Sequence, residues 1–289
     1  MATTAKTVLI TGCIGKGIGN ALAREFHAQG FRVFATGLSV PELEDLSTLG
    51  IETLALDVTD SEHIATTVDV IAQRTGGTLD ILVNNAGIAR TIPMLDATEE
   101  DIRSVFETNF FAVVYMCKAF APLLIKAKGN IVQIGSVTQM VPYTFGAMYN
   151  ASKAALHAFS DTLRVELEPF GVSVTECMTS RVISEITTNS AHAERRLPPD
   201  SLYLPVEEYY IQRKSDSLQG ALDTATYAKQ VVNQVTKSTP PKWYWAGNLA
   251  WVVWGVTTFF PRSFMYYLMR NSFGMGQLKE MVKSGKIKL

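Results

Sequence analysis

The sequence predicts an α/β fold: a single domain on a doubly wound, mostly parallel sheet with helices on both faces. Three observations lead there. Six short apolar runs alternate with helical patterns between Lys6 and Cys177, the rhythm of strand–helix–strand crossovers. Glycines crowd the turn between the first strand and the first helix, at Gly12, Gly15, Gly17 and Gly19. Gly12, Asp57, Asn84, Ser136 and Thr179 all fall at the carboxyl ends of strands, the edge at which open α/β sheets take their ligands.

Taken in order, Lys6–Thr11 reads as the first strand and Gly12–Gly19 as its exit. The next helix carries Ile18, Leu22 and Phe26 on one face and stops at Gly30. A glycine turn that opens a helix lets backbone N–H groups approach a pyrophosphate, and the helix N-terminus attracts the charge. Phe31–Thr36 is the second strand. In dinucleotide folds an acid commonly ends this strand and holds the ribose 2′-hydroxyl. Here Thr36-Gly37-Leu38-Ser39 stands there, and no acid comes before Glu42. A 2′-phosphate is not repelled, Lys16 offers it a positive charge, and NADP is favoured over NAD.

A short helix over Pro41–Leu49 precedes a third strand, Glu52–Leu56, whose end, Asp57-Val58, is placed to meet an adenine ring. Asp60 or Ser61 caps a helix bearing Ile64, Val68 and Ile71. Asp80–Gly87 is the fourth strand and its exit. A long helix is expected from Thr98 to about Lys126. Asp101 stands where a Glu or Gln would complete a capping box, so a poor box is expected. Asn109 lies inside this helix in apolar surroundings, where a buried amide must find partners; a structural kink and a functional role are both open. Asn130–Gly135 is the fifth strand. A helix with Leu156, Phe159, Leu163 and Leu167 on one face follows, then the sixth strand, Val172–Cys177.

Ser136 to Lys153 joins the fifth strand to that helix. Tyr149 and Lys153 are four residues apart, one turn along the same face. An ammonium beside a phenol favours the phenolate, so the Tyr149 pKa is expected below its usual value of about 10, which suits proton transfer. Ser136, at the strand end, offers a hydroxyl to a substrate oxygen.

Composition sets the outer bounds. The chain has 289 residues, 47% hydrophobic and 18% charged, so it can bury a sizeable core; a net charge of −1 argues against a nucleic-acid partner. Cys13, Cys117 and Cys177 are far apart and point to a reducing compartment. His27, His63, His157 and His192 form no motif; each reads as structural, and no metal is expected. The short polar stretch before the first strand does not read as a signal peptide.

Thr11-Gly12 with Gly17-Ile18-Gly19, Asn84-Asn85-Ala86-Gly87, Asn109, Ser136 and Tyr149-x-x-x-Lys153, in this order and spacing over about residues 6–240, resemble the short-chain dehydrogenase/reductase family. Leu197–Tyr203, Pro240–Trp245 and the aromatic tail are similar to a fungal and yeast branch that includes 1-acyldihydroxyacetone-phosphate reductase. The resemblance implies a Rossmann-type fold and a catalytic tetrad. Tyr149 would protonate a carbonyl oxygen as hydride arrives, and Lys153 would lower the tyrosine pKa and hold the nicotinamide ribose. Ser136 would orient the carbonyl, and Asn109 would anchor a relay water. The cofactor, NADP, would lie along Gly12, Lys16, Gly17, Ile18, Gly19, Thr36, Asp57, Val58, Asn84, Ala86, Tyr149, Lys153, Thr179 and Val182. Relatives are commonly dimers or tetramers, so a homodimer or homotetramer is expected. Three departures stand out: an extra residue in the glycine turn, shared by the branch; Leu38 where NADP-using relatives often carry Arg; and Thr179-Ser180 in place of Pro-Gly or Thr-Gly.

The catalytic domain is read as 1–242, with a substrate lid at 181–222 in which Tyr203, Tyr209 and Tyr210 pack the lid down. Asp223–Lys237 is a helix and Lys242–Trp245 a last strand. Residues 243–289 form an apolar extension. Trp243 to Phe260 is 18 residues without a charge and holds all four tryptophans, at the lower edge of a membrane span. Its glycines and the basic end, Lys279–Leu289, weigh against crossing; a membrane-surface contact through 243–270, or a cover over the pocket or a subunit contact, fits better. A cytoplasmic enzyme is expected, with peripheral attachment to the endoplasmic reticulum or lipid droplets as an alternative. The activity expected is reduction of a bulky, apolar ketone by NADPH. The rivals are an alcohol dehydrogenase running oxidatively and a non-redox cyclase or isomerase on the same fold.

Overall fold

The computed structural model describes residues 5–184, 195–216 and 220–287. His192 and much of the first half of the expected lid lie outside the described residues. The chain runs β1 (Thr7–Ile10), α1 (Ile18–Ala28), β2 (Arg32–Gly37), α2 (Glu44–Ser47), β3 (Glu52–Ala55), α3 (Ser61–Thr75), β4 (Ile81–Asn84), α4 (Glu99–Phe106), α5 (Ala112–Ala127), β5 (Asn130–Ile134), α6 (Ala147–Leu167) and β6 (Ser173–Thr179). Then come α7 (Glu207–Asp216), α8 (Thr224–Val235), β7 (Trp243–Ala246), α9 (Ala250–Phe259), α10 (Arg262–Ser272) and α11 (Met275–Lys283).

The seven strands form one sheet in the order β3-β2-β1-β4-β5-β6-β7, every pair parallel. Side chains alternate faces along each strand, so Val8 and Ile10 join one core and Leu9 the other. The first core packs β1 and β2 against Leu22 and Phe26 of α1 and Tyr227 and Val231 of α8. The second packs the opposite face against Ile71 of α3, Phe120 and Leu124 of α5 and Leu156 of α6. Being buried on both faces explains the near-continuous apolar strands. The chain reverses its direction of travel between β1 and β4, and a crevice opens there at the strand ends.

Local chemistry sets the element boundaries. Asp60, not Ser61, caps α3: its carboxylate accepts the N–H groups of Glu62 and His63. Asp101 completes a full capping box with Thr98, against expectation. Its carboxylate accepts the Thr98 N–H at 3.0 Å while the Thr98 hydroxyl accepts the Asp101 N–H at 3.1 Å. The helix expected to run unbroken to Lys126 instead passes through a π-helical turn, Glu107–Phe111, with Asn109 at its centre. The stretch Glu99–Ala127 is, among the described residues, the one run long and apolar enough to cross a membrane; Phe120 and Leu124 place it in the core.

The uncharged run Trp243–Phe260 is divided, which removes the spanning reading. Its start is strand β7, the edge of the sheet, so the sheet continues past the expected boundary at 242. Trp243 lies under the Arg164 guanidinium, 4.8 Å from ring centre, and donates to Asp161 at 3.0 Å. The remainder is α9, ten residues long. The lid tyrosines pack as expected: Tyr210 is fully buried with Phe145, Leu197, Val206 and Phe273, and its hydroxyl donates to Thr91 O at 3.1 Å.

Candidate active site

A cleft of about 810 Å³ runs along the strand ends from the glycine turn to α10. At one end Gly12 takes φ +69°, and a Cβ there would stand 2.9 Å from Ala86 Cα, so only glycine fits. Asn85 ties this turn down, donating to Thr11 O and Gly12 O at 2.7 and 2.9 Å. Gly17 begins α1 with no side-chain cap, which leaves the N–H groups of the first turn for a ligand. Gly12, Gly17, Ile18, Asp57, Val58, Ala86, Thr179 and Val182 all line the cleft.

Four expected cofactor residues do not. Thr36 is fully buried and donates to Ile10 O, and Asn84 is buried against Cys117 Sγ. Both support the strands from beneath. Gly19 is buried where a Cβ would meet Gly12 O at 2.4 Å, so it lets α1 close onto the turn. Lys16 is exposed on the glycine turn and forms no part of the cleft wall. Leu38, 64% exposed, occupies the end of β2, and Glu42 is held away by the Ser39 hydroxyl at 2.8 Å. Among the described residues, no carboxylate lines the cleft at the end of β2. After β6, the Ser180 N–H donates to Ala246 O of β7, and a Cβ at Gly247 would lie 2.9 Å from Ser180 O. The Thr179-Ser180 variation is thus held by β7.

Ser136, Tyr149 and Lys153 meet midway along the cleft. Ser136 caps a short turn and accepts the Thr138 N–H at 3.2 Å. Lys153, 5% exposed, donates from Nζ to Ile134 O at 2.8 Å. Burial brings its pKa down from 10.5 to about 8, with the Glu176 carboxylate opposing the fall. Tyr149 departs from expectation. Desolvation raises its pKa above 10; the hydrogen bond from Ser136 and the Arg213 guanidinium pull the other way without winning. Lys153 Nζ lies 6.0 Å from the tyrosine ring centre.

Asn109 is fully buried and does not face the cleft. Its Oδ1 accepts the Ile88 N–H at 2.8 Å, and its Nδ2 donates to Ile88 O at 2.9 Å and to Ser152 Oγ at 3.1 Å. It pins the exit of β4 to α6 next to Lys153.

Several residues of the site carry no motif. Glu176 lies wholly buried on β6 beneath α6, with His157 Nδ1 at 2.7 Å from Oε2. The hydrogen bond to Glu176 raises the His157 pKa. Glu176 Oε1 has no hydrogen-bond partner among the described residues. Asp161 completes a cluster whose ligand atoms lie within 4.8 Å, but Arg164, 2.7 Å from Asp161, already supplies positive charge there. The three cysteines are free and buried, their thiol pKa values pushed up by desolvation. The far end of the cleft is walled by Val141, Leu249, Val253, Met265 and Met269, with Arg90 and Arg213 among them. Arg213 stacks on Tyr143 at 3.9 Å.

The family model for short chain dehydrogenases matches residues 6–195. The chain belongs to the short-chain dehydrogenase family. Its members bind NAD(P) and act on small molecules. The chain is 44% identical over 212 residues, 73% of its length and 72% of the relative's, to the NADPH-dependent 1-acyldihydroxyacetone phosphate reductase of Schizosaccharomyces pombe. It is 38% identical to the short-chain dehydrogenase RED1 of Pyricularia oryzae, covering 94% of this chain and 96% of that one. Among solved structures, a short-chain dehydrogenase from Streptomyces avermitilis superposes with a TM-score of 0.77 at 25% identity, covering 99% and 98% of the two chains. A serine dehydrogenase in its closed form with NADP+ gives 0.71 at 27% identity, over 82% and 93%.

Proposed function

We propose that this short-chain dehydrogenase is an NADPH-dependent ketoreductase that turns a bulky, largely apolar ketone into a secondary alcohol. The observation that carries the reading is the meeting of Ser136, Tyr149 and Lys153 in a cleft whose other end is an uncapped helix N-terminus with a glycine turn. NADPH supplies the hydride when bound. The first turn of α1, Gly12, Asp57-Val58, Ala86 and Thr179-Val182 would hold it. The absence of a carboxylate at the cleft end of β2 supports NADPH over NADH, as does the NADPH named for the S. pombe relative. Lys16 is the cation of that turn.

The chain's own residues then move the proton. The Ser136 hydroxyl orients the carbonyl oxygen. Tyr149, kept protonated by its desolvated setting, gives its phenolic proton to the developing alkoxide. Lys153, charged below about pH 8, stabilises the phenolate left behind and holds the ribose. Asn109 fixes the loop and helix on which these groups sit, and would anchor a relay water beside Lys153.

The apolar wall of Val141, Leu249, Val253, Met265 and Met269 supports a lipid-like substrate, and Arg90 and Arg213 would suit an anionic end. The S. pombe relative is named for a ketone that has both, an acyl chain and a phosphate. We expect a cytoplasmic homodimer or homotetramer. NADPH oxidation across lipid-like, polyketide, terpenoid and small polar ketones tests the reading. Preference for the small polar ones would overturn the substrate class.

A further inference from the structure

From Thr224 to Lys279 the chain carries six Lys and Arg and no Asp or Glu, although the whole chain is net −1. Two of the six, Arg262 and Arg270, lie on α10, Lys279 lies on α11, and α9 carries no charge. These helices have two faces. Val253, Met265 and Met269 turn inward and wall the cleft, with Leu249 at the start of α9. Trp251 and Phe259 turn outward, 63% and 73% exposed, and Phe260, Tyr266 and Tyr267 are exposed with them. The outward rings are continuous: Trp251 meets Trp254 edge-on at 5.6 Å, and Trp254 meets Phe259 at 5.8 Å. Arg262, exposed, lies one helical turn before Tyr266 on the same face of α10.

An aromatic surface this continuous is uncommon on a water-facing protein. Tryptophan and tyrosine set beside arginine is the composition of helices that lie in a membrane interface. With ten residues, α9 is about 15 Å long, half of what crossing a bilayer requires, so it lies along the surface.

We propose that the outer face of α9 and α10 docks on an anionic lipid bilayer, aromatic rings at headgroup depth, with the catalytic cleft opening on the inner side of the same two helices. Docking stands by itself; delivery of a lipid-soluble ketone from the bilayer into the cleft rests on the ketoreductase reading above.

The test uses the full chain with phosphatidylcholine vesicles, plain or doped with phosphatidylserine. All four tryptophans lie between Trp243 and Trp254, so intrinsic emission reports insertion directly. The protein should sediment with the doped vesicles, its emission shifting to the blue, and binding should weaken with salt. Trp251→Ser with Phe259→Ser should lower partitioning by roughly tenfold or more, while turnover of a water-soluble ketone and the melting temperature stay unchanged. Arg262→Glu should weaken binding to the doped vesicles alone. Failure of the wild-type chain to sediment with either vesicle would overturn the proposal. So would equal binding to both, or a fall in oligomeric state caused by the double variant, which would assign the face to a second copy. Vesicle binding is read without turnover, so its failure and that of the ketoreductase reading are distinguishable.

Discussion

Lys153 is an ammonium buried against the main chain of β5, and its charge below about pH 8 depends on the Glu176 carboxylate opposing desolvation. In the free enzyme it is charged below that value and neutral above it. For reduction, kcat/KM is therefore expected to hold level near neutrality and to fall above about pH 8, since that ratio reports groups of the free enzyme. Glu176→Gln removes the opposing charge and should move the fall to lower pH; an unmoved profile would separate Glu176 from Lys153. Tyr149→Phe should cost about 10²–10⁴ in kcat, with the NADPH dissociation constant nearly unchanged in a fluorescence titration. The Tyr149–Lys153 pair was legible because four residues on a helix is a local distance. The direction of the Tyr149 shift was not, because desolvation depends on everything that covers the start of α6. Glu176 was invisible for the same reason: β6 passes beneath α6 only in the folded chain.

Two elements shape the site, the glycine turn into α1 and the π turn within the α4–α5 run. Gly12→Ala forces a side chain into φ +69° and against Ala86, a strain of about 1–3 kcal/mol. It should lower the melting temperature and weaken NADPH binding together, read by thermal melts with and without cofactor. Asn109→Ala removes three hydrogen bonds in the interior and should destabilise the fold by about 2–4 kcal/mol; denaturant unfolding checks this. The π turn was not legible, because an apolar run such as Phe106–Met116 satisfies helical periodicity with or without one widened turn. Asp101 completed a capping box with a side chain one methylene shorter than Glu, which a rule of residue types misses. The strands, by contrast, were legible almost throughout, since burial on both faces leaves each a short, nearly unbroken apolar run.

Across the whole molecule, the parallel sheet brings glycine turn, hydroxyls and lysine to one edge, and the C-terminal helices close the far end of the cleft. That edge was readable from the strand ends alone. The apolar lining of the cleft was not, because Val141, Leu249 and Met269 come to share it only after β7 and α9 have folded back over the sheet edge. The 18-residue uncharged run looked like one object and is two, a strand and a helix, since hydropathy does not distinguish a sheet edge from a surface helix. The proposed reaction is hydride transfer with Tyr149 as proton donor. The most direct measurement follows deuterium from C4-labelled NADPH into product, with the wild-type chain and with Tyr149→Phe, on a lipid-like ketone. One NADPH should be consumed per alcohol formed, with deuterium on the carbinol carbon and almost no product from the variant. Product formed without NADPH consumption, or with full yield from Tyr149→Phe, would contradict it.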